Sequence, residues 1–441
     1  MGREREGESV RLLAVVLAAA AVARIAAILT VGDSPRLHGD EGDYVEAALS
    51  LARGQGYPGS VRAPGFPALL AVVFAVFGES LAAARLAQVP LALATVAMVF
   101  DLVRPRWGSR AAALSAAVVA FHPTLVSYTH FLWTETLVST LLVACAWTLD
   151  RFARSGREGW LAACGAATGL LVLSREMFAP LAFAAWGWAS AGSDPRARLR
   201  RGALLLLPAA LLVLPWTWRN HAGLGRWVLV STTRWMPMAQ GNLLPADGSW
   251  LRPATGADFL DRYRAVPGEV EREELARAVA LDAIRSQQPG WIAKKLVRTN
   301  YLLFLPWSQL GRYAARNWLP ERWSPLGWPL FAVEATYYLV ASALGIAALW
   351  WVPSRGLKPL VVVPILFQVA VYVIANANHR FRVPMLPLLA VAVGPFLLGE
   401  RAEDHRGMRF VATALCLLAL AWPAATWALR PDLRPSSRYA D

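Results

Sequence analysis

Three carboxylates stand close together near the amino terminus, in residues 38–44, which read His-Gly-Asp-Glu-Gly-Asp-Tyr and are here called the acidic loop. Neighbouring carboxylates such as Asp40, Glu41 and Asp43 suit a general base, a divalent-metal site or a cation-coupling site. The simpler alternative is that they cap a helix beginning near Tyr44. A cap does not require an Asp-Glu-x-Asp cluster, so we favour a functional site.

The metal alternative would use His38, Asp40 and Asp43 as ligands. The sequence has no HExxH-type histidine pair, and its three cysteines lie inside apolar runs without the spacing of a zinc site. The residues therefore imply no definite cofactor, and a divalent cation at the acidic loop stays an open alternative.

Arginines beside the ends of apolar runs form a second candidate group, which consists of Arg62, Arg175, Arg219, Arg380 and Arg382. His379 directly precedes Arg380 and is included with them. Guanidinium groups bind phosphate or pyrophosphate in bidentate fashion. The alternative is that these side chains reach from helix ends to lipid headgroups. Glu135 begins an apolar run, where it would pair with an arginine or cap a helix. Tyr44 is a further candidate for contact with a substrate.

The composition requires a membrane to accommodate the chain. Of the 441 residues, 56% are hydrophobic and 17% are charged, and long apolar runs alternate with short arginine-bearing connectors. We predict an all-α polytopic membrane protein with about eleven spans, within a range of about nine to thirteen. The predicted spans are 10–31, 80–103, 111–121, 133–149, 160–174, 178–191, 203–218, 329–351, 359–375, 383–398 and 410–428.

The positive-inside rule orients these spans. Alternate connectors are rich in arginine, at 104–110, 151–157, 196–201, 355–358 and 401–409, so we place these connectors and the amino terminus in the cytoplasm. The acidic loop then lies outside. Interfacial helices are expected on the outer face at 66–77, 269–285 and 291–305.

Three regions follow from this arrangement. Residues 1–218 form an amino-terminal membrane module whose first outer loop, 32–79, carries the acids. Residues 219–328 form a long outer segment with amphipathic helices, here called the central outer segment, and residues 329–441 hold the last spans.

Several function classes lose support. The net charge of +14 would suggest nucleic acid in a soluble protein, but membrane orientation and anionic lipids explain the arginines better, and no nucleic-acid partner is predicted. The sequence contains no Walker P-loop, GxSxG elbow or CxxC pair. ATP-driven transport, serine hydrolysis and thiol redox chemistry therefore lack their usual residues.

Five short motifs in a fixed order resemble the GT-C superfamily of membrane glycosyltransferases, in particular the protein mannosyltransferase and aminoarabinose transferase branch (glycosyltransferase family 39-like). They are residues 39–48 (Gly-Asp-Glu-Gly-Asp-Tyr-Val-Glu-Ala-Ala), 62–70 (Arg-Ala-Pro-Gly-Phe-Pro-Ala-Leu-Leu), 173–176 (Leu-Ser-Arg-Glu), 215–220 (Pro-Trp-Thr-Trp-Arg-Asn) with Gly241-Asn242, and 380–384 (Arg-Phe-Arg-Val-Pro). Glu176 and Asp43 depart from the family pattern, which would have a proline at 176 and no acid at 43.

The resemblance implies a transferase that moves a sugar from a polyprenyl-phosphate carrier to a lipid, glycan or protein acceptor on the outer face. It implies that Asp40 is the catalytic residue with Glu41 as its neighbour. The remaining candidates, Tyr44, Arg62, Glu135, Arg175, Arg219, His379, Arg380 and Arg382, would bind the lipid phosphate or sugar. A single displacement predicts inversion at the anomeric carbon.

Two other functions stay in competition with the enzyme. A transporter or flippase of polyprenyl-linked glycans would use the acids as a coupling site, but it favours carboxylates deep within spans. A non-catalytic lipid-binding scaffold would need the arginines and not Asp40. The alanine- and arginine-rich composition suggests a bacterial inner membrane, with membrane lipids as the surrounding partners.

Overall fold

The structure, a computed structural model, describes residues 2–31, 37, 39–243, 257–303, 308–309, 311, 325–353 and 355–400. Every regular element in these residues is helical, in agreement with the all-α prediction. His38 and the predicted span 410–428 lie outside the described residues, and so does the metal alternative that depends on His38.

The described α-helices follow one another along the whole chain: Gly2–Val31, Glu41–Ala52, Gly65–Phe77, Leu81–Leu86, Gln88–Ala120, Pro123–Tyr128, Glu135–Ser155, Gly159–Ser174, Pro180–Ala189, Pro195–Leu224, Trp235–Leu243, Ala257–Ala265, Glu269–Ser286, Trp291–Leu303, Gly327–Trp351, Lys358–Ile374, Leu386–Ala390 and Val393–Leu397. Two 3-10 helices, Glu176–Phe178 and His379–Met385, carry arginines of the candidate group at or beside their first turns. The second of these is here called the arginine segment.

Within the described ranges, five helical stretches are long and apolar enough to cross a membrane: Glu6–Leu29, Leu81–Ala120, Glu135–Ser155, Pro195–Leu224 and Gly327–Trp351. Three shorter apolar helices are Gly65–Phe77, Gly159–Ser174 and Lys358–Ile374. A multi-pass helical membrane protein is therefore confirmed, whereas the number of eleven spans stays a prediction.

The predicted spans 80–103 and 111–121 form one helical stretch that is interrupted at Gly108, where φ is 81° and ψ is 175°. A positive φ is accessible to glycine because it has no Cβ. Gln88, near one end of the stretch, donates to the carbonyls of Thr129 and Phe131, which follow shortly after the other end. Both ends of the stretch therefore lie at the same end of the bundle, and the chain turns back at Gly108.

Two predicted spans are shorter in the structure than expected. Residues 178–191 contain one ten-residue helix, Pro180–Ala189. Residues 383–398 are divided into the end of the arginine segment and two five-residue helices. Prolines at 384, 387 and 395 explain the division, because each removes a backbone donor and crowds the preceding turn.

Contacts between connectors support the predicted alternation of the two faces. Arg151 and Arg154 reach Asp101 at 3.3 and 3.2 Å, and Arg106 donates to the carbonyl of Arg355 at 2.9 Å. Connectors predicted to be cytoplasmic thus meet at one end of the bundle, while the acidic loop and the arginine segment meet at the other. Which end faces the cytoplasm stays a prediction.

Close helix packing fixes the position of Arg175. A Cβ on Gly165 would stand 2.0 Å from the carbonyl oxygen of Leu205, so helix Gly159–Ser174 lies directly against helix Pro195–Leu224. Arg175 follows the end of the first of these helices in an extended conformation, with φ −153°. Its side chain therefore leaves the helix axis and can reach the acidic side of the bundle.

The central outer segment contains the two helices expected from its sequence, Glu269–Ser286 and Trp291–Leu303. It is joined to the end of helix Lys358–Ile374 through Gly241 and Asn242. A Cβ on Gly241 would stand 1.5 Å from the carbonyl oxygen of Ala375, and Asn242 accepts a hydrogen bond from the Trp291 indole at 2.8 Å. The motif Gly241-Asn242 therefore has a packing role.

Candidate active site

Asp40 directly precedes helix Glu41–Ala52, but its side chain makes no capping hydrogen bond. Instead, Arg62 donates to its Oδ1 atom and Arg380 donates to its Oδ2 atom, each at 2.7 Å. The side chain keeps 31% of its surface exposed. The capping alternative is therefore not what the structure shows, and the carboxylate is held open to solvent between two cations.

The two arginines control the acidity of Asp40. Burial alone would raise the pKa of its carboxyl group, but the charges of Arg380 and Arg62 and their hydrogen bonds outweigh burial and hold the pKa below its ordinary value of 3.8. Asp40 is therefore ionised at neutral pH. Its basicity is weak as long as both arginines remain in place.

Arg62 also binds Asp43, with its Nε and Nη2 atoms donating to Oδ2 at 2.9 and 2.6 Å. The guanidinium lies 5.6 Å from the ring centroid of Tyr44, and that ring packs edge-on against Phe66. Tyr44 is buried. Its ring therefore packs between Phe66 and the Arg62 guanidinium and supports the position of Arg62.

Glu135 is completely buried at the first position of its helix. Arg175 donates to its Oε1 atom at 2.5 Å, and the Nε atom of Arg380 donates to the same oxygen. Of the two alternatives for this residue, pairing with arginine is the one that the structure shows. Arg380 consequently joins Glu135 to Asp40.

Arg175 is fixed on several sides. It donates to the Thr134 hydroxyl at 2.9 Å and to the Tyr372 hydroxyl at 2.5 Å, and it lies over the ring of Phe381 at 5.3 Å. Neither Tyr372 nor Phe381 was singled out by the sequence, because an aromatic residue in or beside an apolar run is usually a packing residue. The contact with Arg175 is visible only in three dimensions.

Three acids and three arginines thus form a single group, here called the carboxylate–arginine cluster: Asp40, Asp43, Glu135, Arg62, Arg175 and Arg380. Its members come from regions that are widely separated in the sequence. Their formal charges balance, so the cluster is compatible with a position at a membrane surface.

Glu41 is buried next to Asp40, beside the cluster. It is 2% exposed, and its Oε1 atom accepts a hydrogen bond from the backbone N–H of Leu132 at 2.7 Å. This bond fastens the acidic loop to the loop that leads to Glu135. The geometry gives Glu41 a positioning role.

Two predicted arginines lie apart from the cluster. Arg219 donates to the carbonyls of Gly59 and Tyr57, each at 2.7 Å, and so holds the loop before Arg62. Arg382 is buried and lies over the ring of Tyr338, 3.5 Å from its centroid. The roles of both residues as substrate ligands stay predictions. His379 is half-buried at the start of the arginine segment, and its role as a ligand stays a prediction.

A second group of carboxylates borders the site, with Glu269 and Glu273 on the central outer segment and Glu176 beside Arg175. Glu269 accepts hydrogen bonds from the Ser60 N–H at 2.9 Å and the Thr232 hydroxyl at 3.1 Å. Glu273 and Glu176 lie 3.8 and 4.0 Å from the Nε atom of Arg234. Burial raises the pKa of Glu176, and it raises the pKa of Glu273 to about 7. From the sequence, the helix bearing Glu269 and Glu273 was predicted only to be amphipathic.

In the described part of the chain, no three or more His, Cys, Asp or Glu side chains converge as metal ligands. The three acids of the cluster are each paired with arginine. A role for a divalent cation therefore stays a prediction.

Comparison with known proteins supports the sequence-based resemblance. Residues 61–218 match the family described as dolichyl-phosphate-mannose-protein mannosyltransferase. This segment contains Arg62, Glu135 and Arg175, but not Asp40 or Arg380. No curated protein sequence matches the chain.

Among solved structures, the chain is similar to the oligosaccharyltransferase of Archaeoglobus fulgidus in its apo form, with 14% identity over 94% of this chain and 55% of that one, and a TM-score of 0.51. It thus spans about half the length of that enzyme. ArnT from Cupriavidus metallidurans matches at 18% identity in the apo state, over 86% of this chain and 77% of that one, with a TM-score of 0.42. ArnT bound to undecaprenyl phosphate matches at 17% identity, over 88% and 78%, with a TM-score of 0.44. The sequence-based resemblance to membrane glycosyltransferases of the GT-C superfamily is therefore confirmed.

Proposed function

We propose that the protein is an inverting glycosyltransferase that moves a hexosyl or pentosyl group from a polyprenyl-phosphate carrier to an acceptor on the extracytoplasmic side of the membrane. The observation that carries this proposal is the position of Asp40, a partly exposed carboxylate held between Arg62 and Arg380. The match of residues 61–218 to a family named for a dolichyl-phosphate-linked sugar donor supports the class of donor.

The chemistry needs one base and a cationic site. When an acceptor hydroxyl attacks the anomeric carbon, a bond forms between its oxygen and that carbon, while the bond from the carbon to the phosphate oxygen breaks. The hydroxyl proton passes to Asp40, and the electron pair leaves with the lipid phosphate. A phosphate leaving group needs charge stabilisation more than protonation. Two catalytic carboxylates, as in glycoside hydrolases, are therefore unnecessary.

The cluster provides the cations where they are needed. Arg380 touches both Asp40 and Glu135, and Arg62 touches both Asp40 and Asp43. A bound lipid phosphate would draw these guanidinium groups from Asp40, since phosphate is also a bidentate partner for arginine. Loss of the two cations would raise the pKa of Asp40 and increase its basicity. Donor binding and activation of the base are in this way coupled.

The position of the acids favours the enzyme over a transporter or flippase of polyprenyl-linked glycans. Coupling carboxylates are expected within spans, whereas Asp40 and Asp43 lie at the start of a loop helix and Glu135 is the first residue of its helix. A non-catalytic scaffold would have no use for an open carboxylate between two cations.

The test is transfer by the purified protein in detergent from radiolabelled polyprenyl-phosphate sugars, with Asp40→Asn and Asp43→Asn assayed beside the wild type. Asp40→Asn should lower kcat by about 10²–10⁴-fold, the usual contribution of a general base. Asp43→Asn should have a much smaller effect, because Asp43 reaches the site only through Arg62.

Equal turnover by Asp40→Asn and the wild type would overturn the assignment of the base, and loss with Asp43→Asn alone would move it to Asp43. Nuclear magnetic resonance of the product should show the inverted anomer. A retained anomer would exclude a single displacement.

A further inference from the structure

The two arginines of the arginine segment, Arg380 and Arg382, make different contacts. Arg380 donates to Asp40 and Glu135, whereas Arg382, two residues later, is buried on the other side of the same 3-10 helix. A 3-10 helix has about three residues per turn, so neighbours two apart point in different directions. We propose that Arg382, together with Tyr338, is a positioning unit that sets the place of Arg380 in the proposed glycosyl transfer.

The contact between Arg382 and Tyr338 is close. The guanidinium carbon lies 3.5 Å from the centroid of the ring, a distance typical of a flat stacked arginine. Arg382 is 2% exposed and Tyr338 is 1% exposed. A buried stack of this kind has few alternative rotamers, and it therefore fixes the backbone that carries Arg382.

The same pair also reaches the central outer segment. Arg382 donates to the carbonyl of Leu302 at 3.5 Å, and the hydroxyl of Tyr338 donates to the carbonyl of Leu303 at 2.5 Å. Both carbonyls belong to the last turn of helix Trp291–Leu303, where cations and donors are favoured. Arg382 and Tyr338 thus join three elements: the arginine segment, helix Gly327–Trp351 and the central outer segment.

A buried carboxylate accompanies the stack. Glu334 lies one helical turn before Tyr338 and is 3% exposed, and its charge acts on Arg382. An acid near a buried cation reduces the cost of burying that charge inside a membrane protein.

The residue between the two arginines is fixed as well. Phe381 stacks on Tyr372 with ring centroids 4.4 Å apart and an angle of 9° between the planes. Its carbonyl accepts a hydrogen bond from Gln368 at 2.5 Å. Arg380 is therefore the member of this short run that makes ion pairs in the cluster, and the contacts of Phe381 and Arg382 hold the backbone that carries it.

The proposal rests on the proposed transferase activity, and its test is the dependence of kcat/KM on pH. Tyr338→Leu removes the ring under Arg382 and keeps every charge, whereas Tyr338→Phe keeps the ring. A displaced Arg380 would hold Asp40 less well, so the pKa of Asp40 would rise. We expect Tyr338→Leu to lower kcat by about 10–100-fold, the scale of a misplaced catalytic group, and to move the acidic limb of the profile to higher pH. Tyr338→Phe, which loses only the hydroxyl bond to Leu303, should show a clearly smaller change in both respects.

Arg382→Lys provides a second measurement, because lysine keeps the charge and loses the flat stacking surface. It should show the same shift of the acidic limb, whereas Arg106→Gln, at the opposite end of the bundle beside Asp150, should leave the position of the limb unchanged. A raised KM for the donor with an unmoved limb would overturn the proposal and make Arg382 a direct phosphate ligand. An unmoved limb with wild-type kinetics would also overturn it. Failure of the proposed function is distinct, because the wild type itself would then transfer no sugar.

Discussion

Asp40 and Arg380 are 340 positions apart in the chain, and their side chains meet at 2.7 Å. The contact joins the first outer loop to the segment before the last described helices. Arg380 is also bound to Glu135, so one guanidinium connects the proposed base with a fully buried acid. Changes at this arginine should therefore affect substrate binding and the base together.

Arg380→Ala should raise the donor concentration needed for half-maximal rate by about tenfold or more, because charge-assisted hydrogen bonds contribute about 1.5–3 kcal/mol. The measurement is initial transfer rate against donor concentration. Arg53→Ala is the matched control, since Arg53 pairs with the exposed Glu79 in the first outer loop. An unchanged donor dependence would return Arg380 to a purely structural role.

Arg62→Gln should make transfer more sensitive to acid. Arg62 lowers the pKa of Asp40, so its loss lets that pKa rise, and the ionised base disappears at a higher pH as the solution is acidified. The acidic limb of the profile of kcat/KM against pH should move to higher pH. Arg226→Gln, which breaks an exposed pair with Glu274, should leave the limb in place. A limb that does not move in Arg62→Gln would contradict the assignment of Asp40.

Glu135→Gln should destabilise the fold. The substitution leaves two largely buried arginines, Arg175 and Arg380, with one carboxylate fewer, and breaking a buried ion pair typically costs about 3–5 kcal/mol. Thermal unfolding in detergent measures the loss as a lower Tm. Glu79→Gln, at an exposed pair with Arg53, should cost about 0–1 kcal/mol. Similar Tm values for the two variants would show that the pairing of Glu135 adds little stability.

Glu273 should make stability depend on pH. Its folded-state pKa is about 7 against an ordinary 4.5, mainly because of burial. The folded state then holds the proton more strongly than the unfolded state, so the contribution to stability is present below about pH 4.5 and is lost as the pH rises through about 7. Glu273→Gln should flatten the change of Tm over this range, and Glu274→Gln is the exposed control. A curve for Glu273→Gln that parallels the wild type would exclude Glu273 as the source.

Gly241→Ala should loosen the central outer segment. The added methyl group would stand 1.5 Å from the carbonyl oxygen of Ala375, so the backbone has to move. Limited proteolysis should cut the region around residues 235–303 faster than in the wild type. Gly187→Ala, where nothing lies within 4 Å of the new atom, should be cut at the wild-type rate. Equal rates for the two variants would show that the contact at Gly241 is not needed.

Sequence reasoning predicted the helical membrane class and the main members of the cluster, because charged residues beside apolar runs are conspicuous. It could not separate Arg380 from Arg382, since both lie in the same short outer connector and differ only in the direction of their side chains. Arg219 was grouped with the phosphate ligands for the same reason. In the structure it donates to the carbonyls of residues 57 and 59, to the Ser60 hydroxyl and to the Asn220 side-chain oxygen.

The lengths of the later spans were also hard to predict. Hydropathy counts apolar residues along the chain, and residues 383–398 are apolar enough to resemble one span. The structure divides them because three prolines interrupt the hydrogen-bond ladder. Glu273 gave no signal, because a glutamate on an amphipathic helix is usually solvated. Its burial depends on the start of helix Trp235–Leu243, where the Trp235 N–H donates to it.

The equal numbers of acids and arginines in the cluster have a consequence for the release of products. A lipid phosphate that binds here has to take guanidinium groups from carboxylates that already hold them, so binding is an exchange of partners. Once the sugar has been transferred and Asp40 has released the proton that it accepted, Asp40 and Glu135 are in place to take the same guanidinium groups back. We therefore expect Asp40 and Glu135 to compete with the lipid phosphate for the arginines, which would promote release of the phosphate after each turnover.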